Sequence, residues 1–417
     1  MMKKIISILI CGILLFVCIA SLSSCSKKED HAQNSDVKTL YVYNWGEYMS
    51  DGSDDSLDVN KAFEDWYYET YGERVKVNYS TYSSNEDLYA KVTSGAVTYD
   101  VVVPSDYMVQ RLKDEGYLAK LNYENIPNMA NILDEFKGSN AYYDDGNKYS
   151  VPYLYGMIGI IYNTTMVDPN DPDIGSWSLM WDENYKGNIL QFNNSRDAFG
   201  TAQYYLGIDV NTATEAEWRQ ALELLKKQKG ILQGYVMDEI YNKMENGSAA
   251  IAAYYAGDYL TMYENNHDLE FFYPKEGTNF YVDAMCIPAA SENKLIAERY
   301  INFMLSEEAA VANAEYTYYA SPNRLVVESE EYKEYMSEIK EDAYEKMYPQ
   351  AGTVKATSYQ NLTGEKLVIL NSLWEELKSD VDIGIGIYIC CGVIILGLIV
   401  LFVTYTVKKR SRRKMYE

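Results

Sequence analysis

The chain has 417 residues, with 37 Lys or Arg against 61 Asp or Glu, which gives a formal net charge of −24 at pH 7. An acidic surface of this kind repels nucleic acid and attracts cations, so we expect no nucleic-acid partner. Because the chain has only two histidines, little is available to build a histidine base, a Ser-His-Asp triad or a zinc cluster.

Residues 1–25 have the pattern of a bacterial lipoprotein signal. Two lysines precede a long apolar run, and Leu22-Ser-Ser-Cys25 then resembles a lipobox, the site of cleavage and lipid attachment. A plain signal peptide or an uncleaved anchor is the alternative. We expect lipidation at Cys25, followed by a flexible polar tether over 26–37.

The first part of the body alternates strands with helices. Strands are predicted at 39–43, 75–79 and 99–103, and helices at 58–71, 86–94 and 107–115. This alternation indicates an α/β domain with a parallel-type sheet. Trp45, Ser80 and Ser105 each come just after a predicted strand, where ligands bind on such sheets.

A second block begins near residue 149 and continues the alternation. Strands are predicted at 159–162, 188–192, 249–254 and 284–287. Helices are predicted at 199–206, 215–227, 237–246, 259–265, 296–305, 307–316 and 365–378. A body of more than 300 residues can form two domains.

An uncharged apolar segment of 25 residues covers 383–407. At about 1.5 Å per residue it is long enough to cross a hydrocarbon core as one transmembrane helix. The basic segment 408–417 follows at once, which predicts a cytoplasmic tail and an extracytoplasmic body. Between the two membrane segments the only cysteine is Cys286, so we expect no disulfide within that body.

The body has no motif that indicates an enzyme. It has no Walker loop, no G-x-G-x-x-G after a strand and no metal-type cysteine pair, so we expect no catalytic residue, metal or cofactor. An enzyme that uses only carboxylates, as glycosidases do, is the alternative, but no spacing distinguishes one carboxylate pair from the others.

Aromatic residues are abundant, with 42 tyrosines and 6 tryptophans. Aromatic faces together with carboxylates form a good receptor for an organic cation, through cation–π contacts and charge-assisted hydrogen bonds. For any single tyrosine, packing in the core is the competing interpretation.

Seven motifs occur in an order that resembles one family. They are Thr39-Leu-Tyr-Val-Tyr-Asn-Trp-Gly-Glu-Tyr48, Tyr79-Ser-Thr-Tyr-Ser-Ser-Asn-Glu86, Tyr99-Asp-Val-Val-Val-Pro-Ser-Asp-Tyr107, Val151-Pro-Tyr153, Trp181-Asp-Glu-Asn-Tyr-Lys-Gly187, Ser195-Arg-Asp197 and Tyr318-Tyr-Ala-Ser-Pro-Asn323. In this order they resemble the spermidine/putrescine-binding proteins of bacterial polyamine ABC transporters, across 38–379.

The resemblance implies a two-lobed type II periplasmic-binding-protein fold, in which a ligand closes the cleft between two α/β lobes. Lobe 1 would comprise 38–150 with a return at about 284–320. Lobe 2 would comprise 151–283 with a return at about 321–379. The family is not enzymatic and passes a polyamine to membrane permease subunits that a cytoplasmic ATPase drives.

The first ligand-binding residues that the resemblance implies lie in lobe 1 and, for Asp197, in lobe 2. They are Trp45, Tyr48, Ser105, Tyr107 and Asp197. The family's Asp-x-Arg-Glu segment is Asn194-Ser-Arg-Asp197 here, so one carboxylate is an amide and the other is shorter. Length selection between spermidine and putrescine therefore stays open.

The remaining implied contacts come from the second block of the chain. They are Tyr255, Asp258, Tyr281, Asp283, Tyr319 and Gln360. Tyr255 and Tyr281 replace two tryptophans of the family, which keeps an aromatic cage with weaker cation–π attraction. The competing interpretation for Asp197 and Asp283 is a solvated surface acid.

Two other functions are compatible with the same residues. One is a binding protein of this fold for another small molecule, such as an opine, a thiamine-like cation or an amino compound. The other is a membrane-bound polyamine sensor that passes the ligand state through the predicted span. Ligand competition would distinguish a binding protein for another small molecule from one for polyamines. Deletion of the residues after Asp382 should leave uptake intact in a transport protein and abolish signalling in a sensor.

Overall fold

The computed structural model describes residues 37–379 and Phe402. The predicted signal at 1–25, nearly all of the tether, the basic tail and, apart from Phe402, the segment 383–407 lie outside these residues. In the part of the chain that is described, no helix combines the length and the apolar character that a bilayer crossing requires.

The described strands are β1 (Lys38–Trp45), β2 (Val75–Tyr82), β3 (Val101–Val102), β4 (Ser150–Asn163), β5 (Ile189–Phe192), β6 (Leu232–Val236), β7 (Ile251–Tyr255), β8 (Leu269–Phe272), β9 (Thr278–Cys286) and β10 (Ala356–Thr357). They form a sheet in the order β2-β1-β3-β9-β4-β7-β5-β6, with β10 beside β9 and β8 beside β4.

The described α-helices before residue 290 are α1 (Val59–Tyr71), α2 (Asn85–Ser94), α3 (Asp106–Asp114), α4 (Ser195–Leu206), α5 (Glu215–Lys229), α6 (Glu239–Glu245) and α7 (Ala256–Asn265), and short 3₁₀ helices lie between α3 and α4. Those after it are α8 (Lys294–Met304), α9 (Glu307–Thr317), α10 (Arg324–Val327), α11 (Glu330–Ile339), α12 (Ala343–Met347) and α13 (Glu365–Ser379).

The two ends of the sheet are parallel and its centre is antiparallel. β1 pairs in parallel with β2 and β3 at one end, and β5 pairs in parallel with β6 and β7 at the other. The long strands β4 and β9 run antiparallel beside each other and connect the two ends. The parallel-type sheet expected for the first part of the body is therefore confirmed in β1, β2 and β3.

Local sequence explains where several helices begin and end. The Asp58 side chain accepts the backbone N–H of Lys61 and so caps α1, and Gly72 ends that helix in the left-handed conformation. At α5, Thr214 and Glu217 form a reciprocal capping box. These caps satisfy N–H groups that a helix cannot satisfy by itself.

Several predicted boundaries differ from the structure. The strand expected over 99–103 is only Val101–Val102, and the one expected at 284–287 begins at Thr278. Trp45 is the last residue of β1 and Ser80 lies inside β2, so neither follows its strand as predicted. The strand β6 was missed because Gln233 and Gly234 interrupt its apolar pattern.

The core explains how the body is stabilised without a disulfide. The largest cluster of buried apolar side chains takes residues from both ends of the sheet and from β4 and β9. Cys286 is buried within this cluster and its thiol is free. Burial of apolar surface therefore supplies the main stabilisation of the described residues.

Candidate functional site

A cavity lies between the two ends of the sheet, beside the strands that connect them. Ten of the eleven predicted ligand-binding residues line it: Trp45, Tyr48, Ser105, Tyr107, Asp197, Tyr255, Asp258, Tyr281, Asp283 and Tyr319. The resemblance thus identified residues that folding brings to one place.

Trp45 and Tyr48 form one aromatic wall. The indole N–H of Trp45 donates to the backbone oxygen of Val103 at 3.0 Å, and its ring tilts against that of Tyr82. The ring of Tyr48 packs edge-on against Tyr319, with ring centroids 4.7 Å apart. These contacts fix both rings before any ligand enters.

Asp283 lies at the base of this wall and is only 4% exposed. Its Oδ2 accepts a 2.7 Å hydrogen bond from the Tyr48 hydroxyl, while its Oδ1 has no hydrogen-bond partner among the described residues. Burial raises the pKa of Asp283 to about 7, because desolvation penalises the charged form more than the Ser105 and Tyr48 hydroxyls stabilise it. A ligand ammonium would give Oδ1 the partner that it lacks.

Ser105 and Tyr107 enter the cavity from the start of α3. Ser105 is the N-cap residue, and it exchanges two 3.1 Å hydrogen bonds with the side chain of Asn85. The Tyr107 hydroxyl donates to Glu86 Oε1 at 3.3 Å. These hydrogen bonds therefore connect helix α2 to the start of helix α3 at one side of the cavity.

Asp197 lies in the first turn of α4 and is 9% exposed. Asn194 caps this helix by accepting the Asp197 N–H at 2.8 Å, and its amide donates back to Asp197 Oδ2 at 2.8 Å. The Tyr255 hydroxyl donates to the same oxygen at 2.7 Å. Desolvation raises the pKa of Asp197, and the two side-chain donors and Arg196 oppose that shift.

Asp258 is a third buried carboxylate, 7% exposed, in the first turn of α7. The Tyr241 hydroxyl donates to Oδ1 at 2.5 Å and the Tyr319 hydroxyl to Oδ2 at 2.8 Å. Burial raises the pKa of Asp258 to about 7 despite these two donors. The tyrosine ring reaches this carboxylate because Gly257 has no side chain: a Cβ there would lie 2.2 Å from Tyr319.

Tyr255 and Tyr281 meet edge to face, with ring centroids 5.4 Å apart. The hydroxyl of Tyr281 is buried and forms no hydrogen bond with the described residues. It packs where Gly156 leaves room, since a Cβ on that glycine would lie 2.6 Å from the hydroxyl oxygen. Tyr255 and Tyr281 therefore form one continuous aromatic surface.

Gln360 is the one predicted contact that does not line the cavity. Its residue is exposed, its backbone N–H donates to Asn211, and the neighbouring Tyr359 lines the cavity instead. The ring of Tyr359 stacks under the Arg196 guanidinium, 4.2 Å from ring centroid to guanidinium carbon. The Tyr-Gln-Asn match is short and does not determine which of these side chains points inward, and ligand contact by Gln360 stays a prediction.

Sequence reasoning missed several other lining residues. They are Gly46, Ser83, Ser84, Asn85, Glu86, Asn194, Met237, Asp238, Tyr241, Tyr254, Asn279 and Tyr359. Asn85 and Glu86 belong to the Tyr79–Glu86 motif, so the motif itself indicated that they lie near the ligand site. No sequence signal indicated Tyr241 or Asn279, because only tertiary structure brings them to the cavity.

The charge of the cavity determines what it can bind. Five carboxylates line it, from Glu86, Asp197, Asp238, Asp258 and Asp283, and no Lys, Arg or His is among the described lining residues. Aromatic rings form much of the remaining wall. Such a surface suits an elongated organic cation, whose ammonium groups pair with carboxylates while its methylene groups lie against rings.

Comparison with known proteins agrees with this chemistry. The model of a family described as bacterial extracellular solute-binding protein matches residues 60–338. The chain is similar to the spermidine/putrescine-binding periplasmic protein of Salmonella typhimurium, with 33% identity over 349 residues, 84% of this chain and 94% of that protein.

Solved structures show the same similarity. An ABC transporter structure from Listeria monocytogenes is 32% identical, with a TM-score of 0.72, and the match covers 82% of this chain and 99% of that one. A spermidine/putrescine ABC transporter substrate-binding protein from Streptococcus pneumoniae is 30% identical, with a TM-score of 0.63, and the match covers 82% and 98%.

Proposed function

Because the chain belongs to the bacterial extracellular solute-binding protein family, we propose that it captures spermidine or putrescine in the cavity and delivers it to an ABC permease. It is a substrate-binding protein rather than an enzyme, and its α/β fold matches that of type II periplasmic binding proteins. The observation that carries the proposal is the set of three buried carboxylates, Asp197, Asp258 and Asp283, each held by tyrosine hydroxyls.

The chemistry of polyamines fits these carboxylates. A primary amine resembles the lysine side chain, whose pKa is about 10.4, so polyamines are multiply charged at neutral pH. A buried ammonium needs a partner, because an unpaired buried charge is costly. Asp283 offers a free oxygen to one amine. Asp197 and Asp258 would receive other ammonium groups, and the tyrosines would contact the methylenes between them.

The two ends of the sheet correspond to the proposed lobes. Lobe 1 comprises 38–150 with a return at about 284–320, and lobe 2 comprises 151–283 with a return at about 321–379. Support comes from the topology, in which β4 and β9 connect two parallel ends. The cavity takes lining residues from both ends, as a cleft that closes on its ligand requires.

The family acts outside the cytoplasmic membrane, and we infer from the sequence that two segments attach this chain to it. Lipidation of Cys25 would anchor the body by its N-terminus, and the span 383–407 would anchor it again with a cytoplasmic tail at 408–417. The partners of the loaded protein would be permease subunits and, through them, a cytoplasmic ATPase. Metabolic labelling with a fatty-acid analogue tests the lipid, since Cys25→Ser should abolish incorporation.

A different cationic ligand is the second candidate, and Asn194 favours it. Where the family has a carboxylate, the amide of Asn194 is occupied in capping α4 and in holding Asp197. One end of the cavity therefore has one negative charge fewer than the family pattern. An opine, a thiamine-like cation or another amino compound would have to use the same three buried carboxylates.

Calorimetric titration of the purified chain in detergent tests the proposal. Putrescine, cadaverine, spermidine and spermine are titrated separately, and micromolar or tighter affinity for putrescine or spermidine is expected. Arginine and thiamine serve as competing cations of different shape. A folded protein that binds none of the four polyamines, or that binds a competing cation more tightly, would refute polyamine capture and favour the second candidate.

A further inference from the structure

Asp106 is a buried carboxylate that the proposed function does not use. It is 1% exposed and occupies the first position of α3, between the cavity-lining residues Ser105 and Tyr107. Asp106 is not among the residues that line the cavity. A buried carboxylate is costly unless hydrogen bonds compensate it, so its partners indicate its role.

Three donors meet the Asp106 carboxylate. Oδ1 accepts the backbone N–H of Tyr107 at 2.6 Å, and Oδ2 accepts the backbone N–H of Val282 at 3.2 Å and the hydroxyl of Tyr142. Val282 lies in β9 directly between Tyr281 and Asp283, which both line the cavity. Asp106 therefore connects the start of α3 to the strand that carries the ligand carboxylate.

The connection needs a carboxylate. An amide has one acceptor oxygen and an NH₂ group that only donates, so asparagine would leave one of the three donors facing another donor. The negative charge at the start of α3 is also favourable to the helix dipole.

We propose that Asp106 is a positioning residue of the ligand site, which holds Ser105 and Tyr107 in register with Tyr281 and Asp283 and adds negative charge behind them. The proposal rests on polyamine capture as the function of the cavity. Asp106 acts through its neighbours and touches no ligand. Its loss should therefore loosen two walls of the cavity at once, whereas loss of a single ligand contact affects one.

The charge state of Asp106 can be tested by substituting Tyr142, whose hydroxyl donates to the Asp106 carboxylate. Burial raises the pKa of Asp106 to about 7, and the Tyr142 hydroxyl opposes that shift. The titratable groups that face Asp106 from neighbouring elements are Asp283, Tyr142, Tyr143 and Tyr204. Tyr142 is 41% exposed and lines a separate pocket, so it can be changed without altering a residue that lines the ligand cavity.

The first test measures the affinity of the full chain for putrescine and spermidine by calorimetry at pH 8. Asp106→Asn should weaken binding about tenfold or more, the effect of losing a hydrogen-bonded charge. The matched control is Asp144→Asn, since Asp144 is equally buried and accepts Tyr149 N–H and Ser150 Oγ–H away from the cavity. The control should keep the wild-type affinity.

The second test remains informative if Asp106→Asn does not fold. Tyr142→Phe removes a donor that favours the ionised carboxylate, so the pKa of Asp106 rises and its charge is lost at a higher pH. Binding by this variant should weaken at a higher pH than binding by the wild type, when both are titrated between pH 5 and pH 9. A purely structural role for Tyr142 would lower stability without moving this profile.

The outcomes separate the two proposals. If the wild type binds no polyamine, the proposed function fails and Asp106 loses its role with it. If the wild type binds and both Asp106→Asn and Tyr142→Phe keep its affinity and pH profile, only the positioning role is overturned. Equal weakening by Asp106→Asn and Asp144→Asn would also overturn it, because any buried aspartate would then have the same effect.

Discussion

Tyr48 and Asp283 are 235 residues apart in the chain, yet the hydroxyl of one donates to the carboxylate of the other at 2.7 Å. The bond joins the segment after β1 to the middle of β9, so it exists only when the sheet is assembled. It also leaves Asp283 Oδ1 as the free acceptor. Assembly of the fold therefore creates the proposed binding group, with one oxygen fixed and the other ready for a cation.

The free oxygen of Asp283 leads to the first prediction. Asp283→Asn should weaken polyamine binding by about 1.5 kcal/mol or more, because a charge-assisted hydrogen bond to an ammonium is lost. Calorimetric titration at pH 8 measures the change. Asp145→Asn is the control, since the Asp145 side chain is 82% exposed and lies outside the cavity. Unchanged affinity in Asp283→Asn would remove this residue from the ligand site.

Trp45 provides the second prediction. Trp45→Ala should reduce polyamine affinity by about 0.5–2 kcal/mol, the range of a cation–π contact, while the protein still melts cooperatively. Its ring is only partly buried and touches Tyr82 at the edge of the cavity. Titration and thermal unfolding are measured on the same sample. A collapsed melting transition would instead indicate that packing is the main role of Trp45.

The positions of cavity residues were predictable because the motifs keep their order along the chain. Ten of the predicted contacts line one cavity, and the expected helical start near residue 58 and the last helix match the structure within one residue. Single residues at strand ends were less predictable. Gln360 and Tyr359 are neighbours in sequence, and only packing against Arg196 decides which of them faces inward.

The hydroxyl partners of the carboxylates could not be predicted. Asp258 is held by Tyr241 and Tyr319, which are 17 and 61 residues away in the chain. With 42 tyrosines in the sequence, no local pattern distinguishes these two from the others. The raised pKa values of Asp106, Asp258 and Asp283, each about 7, could not be predicted either, since burial causes all three shifts.

Three buried carboxylates, Asp106, Asp258 and Asp283, contribute to the dependence of stability on pH. Because folding raises the pKa of each from 3.8 to about 7, the folded state binds more protons than the unfolded state between these values. The stability that these groups contribute is therefore present at low pH and lost as pH rises through about 7. The ligand-free protein should gain stability, relative to pH 8.5, when the pH is lowered to 5.5.

Thermal unfolding at the two pH values measures this effect. Saturating polyamine should reduce the difference, because a bound ammonium stabilises the ionised carboxylates and so adds more stability at pH 8.5. Asp258→Asn should have a smaller pH dependence than the wild type when both are ligand-free. An identical pH dependence in the variant would mean that Asp258 ionises in the folded protein as it does in the unfolded chain.

Replacing Gly257 with alanine should lower stability, the opposite of the usual effect of this change in a helix. Alanine in place of glycine within a helix usually stabilises by up to about 1 kcal/mol. At Gly257, however, the new Cβ would lie 2.2 Å from the ring of Tyr319. The ring must move, and its 2.8 Å hydrogen bond to Asp258 is then lost. We expect Gly257→Ala to lower both the melting temperature and the affinity for polyamine.

Gly234→Ala is the matched control for this prediction. A Cβ on Gly234 would have no atom within 4 Å, and this glycine lies in β6, outside the residues that line the cavity. The control should therefore keep its affinity. If Gly257→Ala binds polyamine as tightly as the control, Tyr319 can leave Asp258 without cost, and the tyrosine hydroxyl does not help to hold that carboxylate for the ligand.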